Sequence, residues 1–366
     1  MSRFLLQGRV LTPERDLPLA TVVVDGKLIE SISEDASEPR NATPLIEAGD
    51  IIAPGFVDLQ VNGFAGHDAA SGAAAVTEIS RLLPKYGVTA FMPTLISRPI
   101  PDAVRFVKEV RTASAPGAVI LGAHIEGPFI NPKYRGAHDA AYLALPTREL
   151  VRELIEVEPG MVTLAPELPG ALDAIRELIA ARVKVSAGHS GATIAEAMAG
   201  FDAGIRFGTH LFNAMSPLHH REPGLPGALL SDERITIGLI ADGVHVDPVM
   251  LSFGIRVAGP DRIKLTTDQT AAAGSPPGRY VIAGRETFSD GRSARLADGT
   301  LAGGVATMDQ MARLVAALPG VGLRDAVRMA SGSDQGIRTR GPANLVVLTP
   351  DLQVRLTLVE GRVVYG

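Results

Sequence analysis

Between Ile51 and Asp268 the sequence alternates short apolar runs with amphipathic stretches, eight times over. The runs lie near 52–60, 88–94, 118–126, 161–165, 183–189, 206–210, 235–241 and 262–268 and have the length of buried strands. Segments such as 74–86, 101–114, 148–156, 171–181 and 194–203 carry helical spacing instead. That order predicts an α/β architecture closed into a (β/α)8 TIM-like barrel rather than a doubly wound sheet, with chemistry at the C-terminal ends of the strands. The flanks obey a different period. Residues 1–50 alternate around an Asp25-Gly26 turn, and the last thirty residues repeat the pattern around Glu360-Gly361, which reads as hairpins. Two isolated hairpins are marginal, so the termini are expected to meet in a small β-sandwich domain. The predicted division is 1–51 with 340–366 for the sandwich and 52–339 for the barrel.

Composition narrows the chemistry. The chain has no cysteine, which removes disulfides, thiolate nucleophiles and Cys-ligated zinc and fits a cytoplasmic protein. Any metal is left to His, Asp, Glu or backbone. No uncharged run reaches 18 residues, and the first residues lack a signal-peptide pattern, so no membrane association is expected. A net charge of −5 without blocks of like charge argues against nucleic acid as a partner. No GxxxxGK[ST] is present, no GxGxxG follows a strand, and Ser331-Gly-Ser-Asp334 lacks the strand that a nucleophile elbow requires.

The polar residues sit where barrel chemistry would put them. In Gly122-Ala-His-Ile-Glu-Gly-Pro-Phe129 an apolar run ends in Glu126 and is stopped by Gly127-Pro128. Alone, such a carboxylate is a solvated or ion-paired strand end. Two further runs end in His189 and His210, however, and one Glu with two His from three strand ends is an N,O set suited to a catalytic divalent ion with an open position. Gln60 and Asn62 end strand 1, Asp242 and His245 end strand 7, and Asp268 ends strand 8. Asp268 is either a helix cap or loop ion pair, or the group that takes a proton from water and passes it to a leaving amine. His138, in the loop after strand 3, is either a bystander or a donor to a developing oxyanion.

Six strings then carry a family resemblance. They are Pro54-Gly-Phe-Val-Asp-Leu-Gln-Val-Asn-Gly63, His124-Ile-Glu-Gly-Pro-Phe129, Ser186-Ala-Gly-His-Ser190, Gly208-Thr-His-Leu-Phe-Asn-Ala-Met215, Arg221-Glu-Pro-Gly224 and Ala241-Asp-Gly-Val-His245. In register over nearly the whole chain, they resemble the N-acetylglucosamine-6-phosphate deacetylases of the amidohydrolase superfamily. The resemblance implies hydrolysis of N-acetyl-D-glucosamine 6-phosphate to D-glucosamine 6-phosphate and acetate, in amino-sugar catabolism and cell-wall recycling. By the same resemblance Glu126, His189 and His210 hold the metal, Asp268 is the catalytic acid/base, and His138 polarises the acetyl carbonyl. The implied substrate contacts are Ala137 with His138, Asn213 with Ala214, Arg221, the run Asp242, Gly243, Val244 and His245, and Leu301, Ala302 and Gly303. A homodimer is implied as well.

One departure sets the expected metal count. Amidohydrolases generally carry His-x-His after strand 1, whereas this chain has Gln60-Val-Asn62, as a subset of these deacetylases does. Neutral amides are poor zinc ligands. One divalent ion per subunit is therefore expected, Zn2+ first, with Fe2+, Co2+ or Mn2+ as alternatives, and the second position vestigial. The segment 330–342 also looks shorter than the family's usual run, which bears on the junction between barrel and sandwich. Competing activities are deacetylation of the galactosamine epimer, hydrolysis of a cyclic amide, and a sugar-phosphate sensor without catalysis. Arg221 argues against the neutral cyclic amides. Asp268 beside three ligands argues against a pure sensor, and nothing in the sequence separates the C4 epimers.

Overall fold

The computed structural model describes residues 3–12, 14–34, 43–44, 49–332 and 336–366. The segment Ser331-Gly-Ser-Asp334 lies partly outside them, and Ser331 closes the helix Leu323–Ser331.

Eight parallel strands form a nearly closed barrel. In order they are Phe56–Val61, Val88–Leu95, a third in two pieces (Val119–Ile120 and His124–Glu126), Met161–Leu164, Lys184–Ala187, Phe207–Gly208, Thr236–Leu239 and Ile263–Leu265. Each pairs in parallel with the next, and helices cover the outside. The seam between eighth and first strands is thin. Its backbone contacts include a Val61–Gln269 bridge and the Asn62 and Gly63 N–H groups donating to the Gln269 carbonyl at 2.9 and 3.1 Å.

The termini build a second sheet in which Arg362–Tyr365, Val354–Val359, Leu345–Leu348, Ile51–Pro54, Arg3–Leu11, Asp16–Asp25 and Leu28–Ser33 lie side by side. Period-2 alternation splits its central strands between two cores. Ile52, Leu345 and Val347 join Leu6, Val22, Val24 and Leu358 in the sandwich core, while Ile51, Ala53, Val346 and Leu348 face the barrel's core. Each of the larger of these side chains contributes about 1.5 to 3 kcal/mol by burial. The two bodies thus share strands with no dry gap between them.

The first apolar run differs from the expected single strand. It breaks at Gly55, so that Ile51–Pro54 belongs to the terminal sheet and Phe56–Val61 to the barrel. Only glycine fits there, because an added Cβ would stand 2.1 Å from a Thr89 methyl. The third run is interrupted too, at residues 121–123, where Gly122 has φ +112. A three-stranded antiparallel sheet, Gly278–Ile282, Arg285–Ser289 and Ala294–Arg295, follows the eighth strand and was not expected. It walls one side of the barrel mouth.

Candidate active site

The three sequence-predicted ligands meet. Glu126 Oε1 lies 3.1 Å from His189 Nε2 and 3.0 Å from His210 Nε2, and the two imidazole nitrogens are 3.1 Å apart. All three side chains are buried. His189 and His210 hold left-handed backbone, φ +50 and +33, which aims their rings back over the barrel axis at a conformational cost typical of functional sites. Asp268 shares this strain at φ +49.

The hydrogen-bond partners fix what each ring offers. His189 Nδ1 lies 2.9 Å from the Tyr134 carbonyl, which only accepts, so Nδ1 carries the proton and the Nε2 lone pair faces Glu126. His138 is the reverse. The Ser97 backbone N–H donates to its Nδ1 at 3.0 Å, so the ring proton sits on Nε2, 3.7 Å from Glu126 Oε2. Burial, followed by the charge of His189, lowers the His138 pKa to about 4, which keeps the ring neutral. Glu126, His138 and His189 each place a ligand-type atom within 4.8 Å of one another, and His210 completes the cluster. Of the three imidazoles, His138 alone is shown to turn an N–H inward.

This donor set fits a divalent cation. Two ring nitrogens and a carboxylate oxygen at separations of 3.0 to 3.1 Å come within a few tenths of an ångström of the edge, about 3.3 Å, of a tetrahedron with bonds of about 2.0 to 2.1 Å. Without a proton or cation among them, lone pairs would be pressed together. With a proton in that place, burial pushes the Glu126 carboxylate up, but the attraction of a charged His189 and hydrogen bonds from His138, His189 and His210 outweigh it and hold the carboxylate well below its usual range.

The amides of strand 1 serve the carboxylates. Gln60 Nε2 donates to Glu126 Oε1 at 2.8 Å, and Asn62 Nδ2 donates to Asp268 Oδ1 at 2.7 Å. Burial, reinforced by the Glu126 charge, raises the Asp268 pKa to about 6.

A cavity of about 240 Å3 opens above this cluster, lined by Asn62, Glu126, Ala137, His138, His189, His210, Asn213, Ala214, His245, Asp268, Leu301 and Gly303 among others. Asp242, Gly243, Val244, Ala302 and Arg221 lie outside the lining. Asp242 meets the cavity only through a neighbour: its carboxylate sits 2.7 Å from His245 Nδ1 and accepts the Val244 and His245 backbone N–H groups. Ala302 is fully buried. Arg221 is exposed on the loop after strand 6, its guanidinium 2.8 Å from His220 Nε2.

Sequence reasoning missed the apolar wall formed by Ile96, Ile240 and Ile282. It also missed a polar belt one layer deeper, where His124, Thr163, Thr209 and Ser186 hydrogen-bond in series across four strands. Barrel layers are usually filled by branched apolar side chains. The signal was present as Thr163, Ser186 and Thr209, each one to three residues before the end of its run.

The amidohydrolase family model matches residues 51–332, and the chain belongs to the amidohydrolase family. Within it, the chain is 35% identical to the N-acetylglucosamine-6-phosphate deacetylase of Bos taurus over 98% of its own length and 90% of the relative's. It is likewise 35% identical to the N-acetylgalactosamine-6-phosphate deacetylase of Escherichia coli O157:H7, over 99% of both chains. Among solved structures, a mutant N-acetyl-D-glucosamine-6-phosphate deacetylase from Mycobacterium smegmatis, in complex with N-acetyl-D-glucosamine-6-phosphate, superposes with a TM-score of 0.94, 32% identity and complete coverage of both chains.

Proposed function

We infer that the protein hydrolyses the N-acetyl group of N-acetyl-D-glucosamine 6-phosphate, giving D-glucosamine 6-phosphate and acetate. The observation that carries this reading is the convergence of Glu126, His189, His210, His138 and Asp268 on one cavity, in a chain similar along its whole length to deacetylases of such sugars.

In this reading Glu126, His189 and His210 hold one divalent cation, with zinc the best match to an N,N,O set. A cation there supplies Lewis acidity, polarising the amide carbonyl and acidifying water. The remaining steps belong to side chains. Asp268 takes a proton from the attacking water as its oxygen bonds to the acetyl carbon. The His138 Nε2–H donates to the carbonyl oxygen as charge develops on it. Asp268 then returns its proton to the amide nitrogen, the C–N bond breaks, and acetate and the free amine leave. Burial, which raises Asp268 above the ordinary carboxylate range, suits both halves of that transfer.

Substrate would be positioned by Ala137, Asn213, Ala214, His245, Leu301 and Gly303 around the cavity, with Asp242 holding the His245 ring. The cavity lining contains no Lys or Arg among the described residues, although a phosphate dianion calls for one. Exposed Arg221 supplies it if the protein is a homodimer and the loop reaches a partner's cavity. The protein is taken as cytoplasmic, and no helix among the described residues is long and apolar enough to cross a membrane.

The relative that acts on the galactosamine epimer supports a second reading, N-acetylgalactosamine-6-phosphate deacetylation. The deciding experiment measures acetate release from both 6-phosphates, with and without chelator, for the native protein and Asp268→Asn. Chelator-sensitive release that falls by roughly 10²- to 10⁴-fold in the variant supports the assignment. No release from either sugar phosphate would overturn it.

A further inference from the structure

We propose that Glu167 is the positioning residue that aims His189 at the metal centre. It stands just past the fourth strand, in Leu164-Ala-Pro-Glu167, and three donors from two other loops converge on its carboxylate. Asn131 Nδ2 and the Gly191 backbone N–H reach Oε1 at 2.9 and 2.7 Å, and Ser190 Oγ–H reaches Oε2 at 2.7 Å. Hydrogen bonds to a charged acceptor are the stronger kind, and three on one carboxylate make a rigid node.

From that node two paths run to His189. The first holds the backbone. Ser190 and Gly191 directly follow His189, whose φ of +50 is a conformation a histidine leaves readily unless its neighbours are held. The second holds the ring. Asn131, gripped by Glu167, donates its backbone N–H to the His189 carbonyl at 2.9 Å and uses its side-chain oxygen to cap the turn Pro132–Tyr134. That turn presents the Tyr134 carbonyl to His189 Nδ1. One carboxylate therefore governs both the strained backbone and the tautomer of a single imidazole. Partners that orient a metal-bound histidine in this way typically carry about 10- to 100-fold in metal affinity.

The inference rests on the reading of His189 as a ligand, and the experiment separates the two. Zinc affinity of the full-length protein is measured by competition with a chromophoric chelator for Glu167→Ala, Glu167→Gln, Asn131→Ala, His189→Ala and the Glu167→Ala/His189→Ala pair. Glu167→Ala should weaken zinc binding by about 10- to 100-fold. Glu167→Gln should stay close to native, since its oxygen still accepts from Asn131 and Gly191 and its amide can donate to Ser190 Oγ. Asn131→Ala, which cuts only the path to the ring, should fall between. In the His189→Ala background, removing Glu167 should cost nothing further. If Glu167→Ala does not fold, Asn131→Ala still decides. Native zinc affinity in every foldable Glu167 and Asn131 variant, with His189→Ala binding poorly, would overturn the inference and leave Glu167 a loop staple. Native affinity in His189→Ala would overturn the ligand reading itself.

Discussion

Asn62 Nδ2 donates to Asp268 Oδ1 at 2.7 Å, tying the end of the first barrel strand to the end of the eighth. The amide stands where many amidohydrolases have an imidazole, and it instead holds the carboxylate proposed as the proton shuttle. Its donation favours the charged carboxylate and works against the burial that raises Asp268 to about 6. Asn62→Ala should therefore move the acid limb of kcat/KM to higher pH, because the base ionises later, and lower kcat/KM by roughly tenfold, the worth of one hydrogen bond to a charged group. A pH–rate profile identical to the native one would show that Asn62 does not tune Asp268.

Gln60 and Asn62 together should limit the metal count. Both side chains already donate, to Glu126 and Asp268, and neutral amides compete poorly for zinc. Metal analysis of protein reconstituted with limiting zinc should give one tightly bound equivalent per chain. Two tight equivalents would defeat this account. Gln60→His combined with Asn62→His should raise the count toward two, and it removes both hydrogen bonds in doing so.

Asp58 makes stability depend on pH in a direction opposite to most carboxylates. It lies buried at the thin seam, accepting from the Gln60 and Thr267 backbone N–H groups and the Thr266 and Thr267 hydroxyls, and burial raises its pKa to about 6. Between its ordinary value of 3.8 and about 6 the folded chain binds more protons at this site than the unfolded chain does. Its contribution therefore falls as pH rises through that window, by about 3 kcal/mol in all. Asp58→Asn keeps the shape and cannot ionise. The difference in urea midpoint between native protein and variant should favour the native protein near pH 4 and shift toward the variant by pH 7. A difference that stays constant across this range would mean Asp58 carries an unshifted pKa.

The barrel was legible because each strand and helix announces itself locally: eight apolar runs, each followed by a stretch with helical or turn spacing, leave few other closures. Glu126, His189, His210 and Asp268 were legible for the same reason, since a polar residue at the end of an apolar run has one place to point. The split at Gly55 was not, because it depends on the closeness of Thr89, thirty-four positions away, which no local pattern encodes. The antiparallel insertion after Asp268 was lost in a stretch rich in Gly and charged residues, where alternation is short and interrupted. Glu167 could have been found. Met161-Val-Thr-Leu-Ala-Pro-Glu167 is likewise an apolar run with a carboxylate and a turn residue at its end, although here Pro166 precedes the carboxylate, whereas Gly127-Pro128 follows Glu126. What separates the two is the company around each carboxylate, donors alone for Glu167 and the His189 and His210 ring nitrogens beside a donor for Glu126, and that emerges only in three dimensions.

Arg221 should determine selectivity for the phosphorylated sugar. Its guanidinium is exposed and paired with the His220 ring nitrogen rather than a carboxylate, so its charge is free to serve an anion. The cavity of its own chain is lined by His245 and by no Lys or Arg among the described residues. A charge-assisted contact with phosphate is worth about 1.5 to 3 kcal/mol. Arg221→Ala should then cut kcat/KM for the 6-phosphate by roughly 10- to 150-fold and leave the unphosphorylated sugar almost unaffected. If the contact crosses a dimer interface, mixing Arg221→Ala with Asp268→Asn subunits should restore part of the activity, because one hybrid cavity then keeps both residues. Equal losses on the two sugars would mean that Arg221 supports its loop and does not read the phosphate. Absence of rescue in verified mixed dimers would place the contact within one chain.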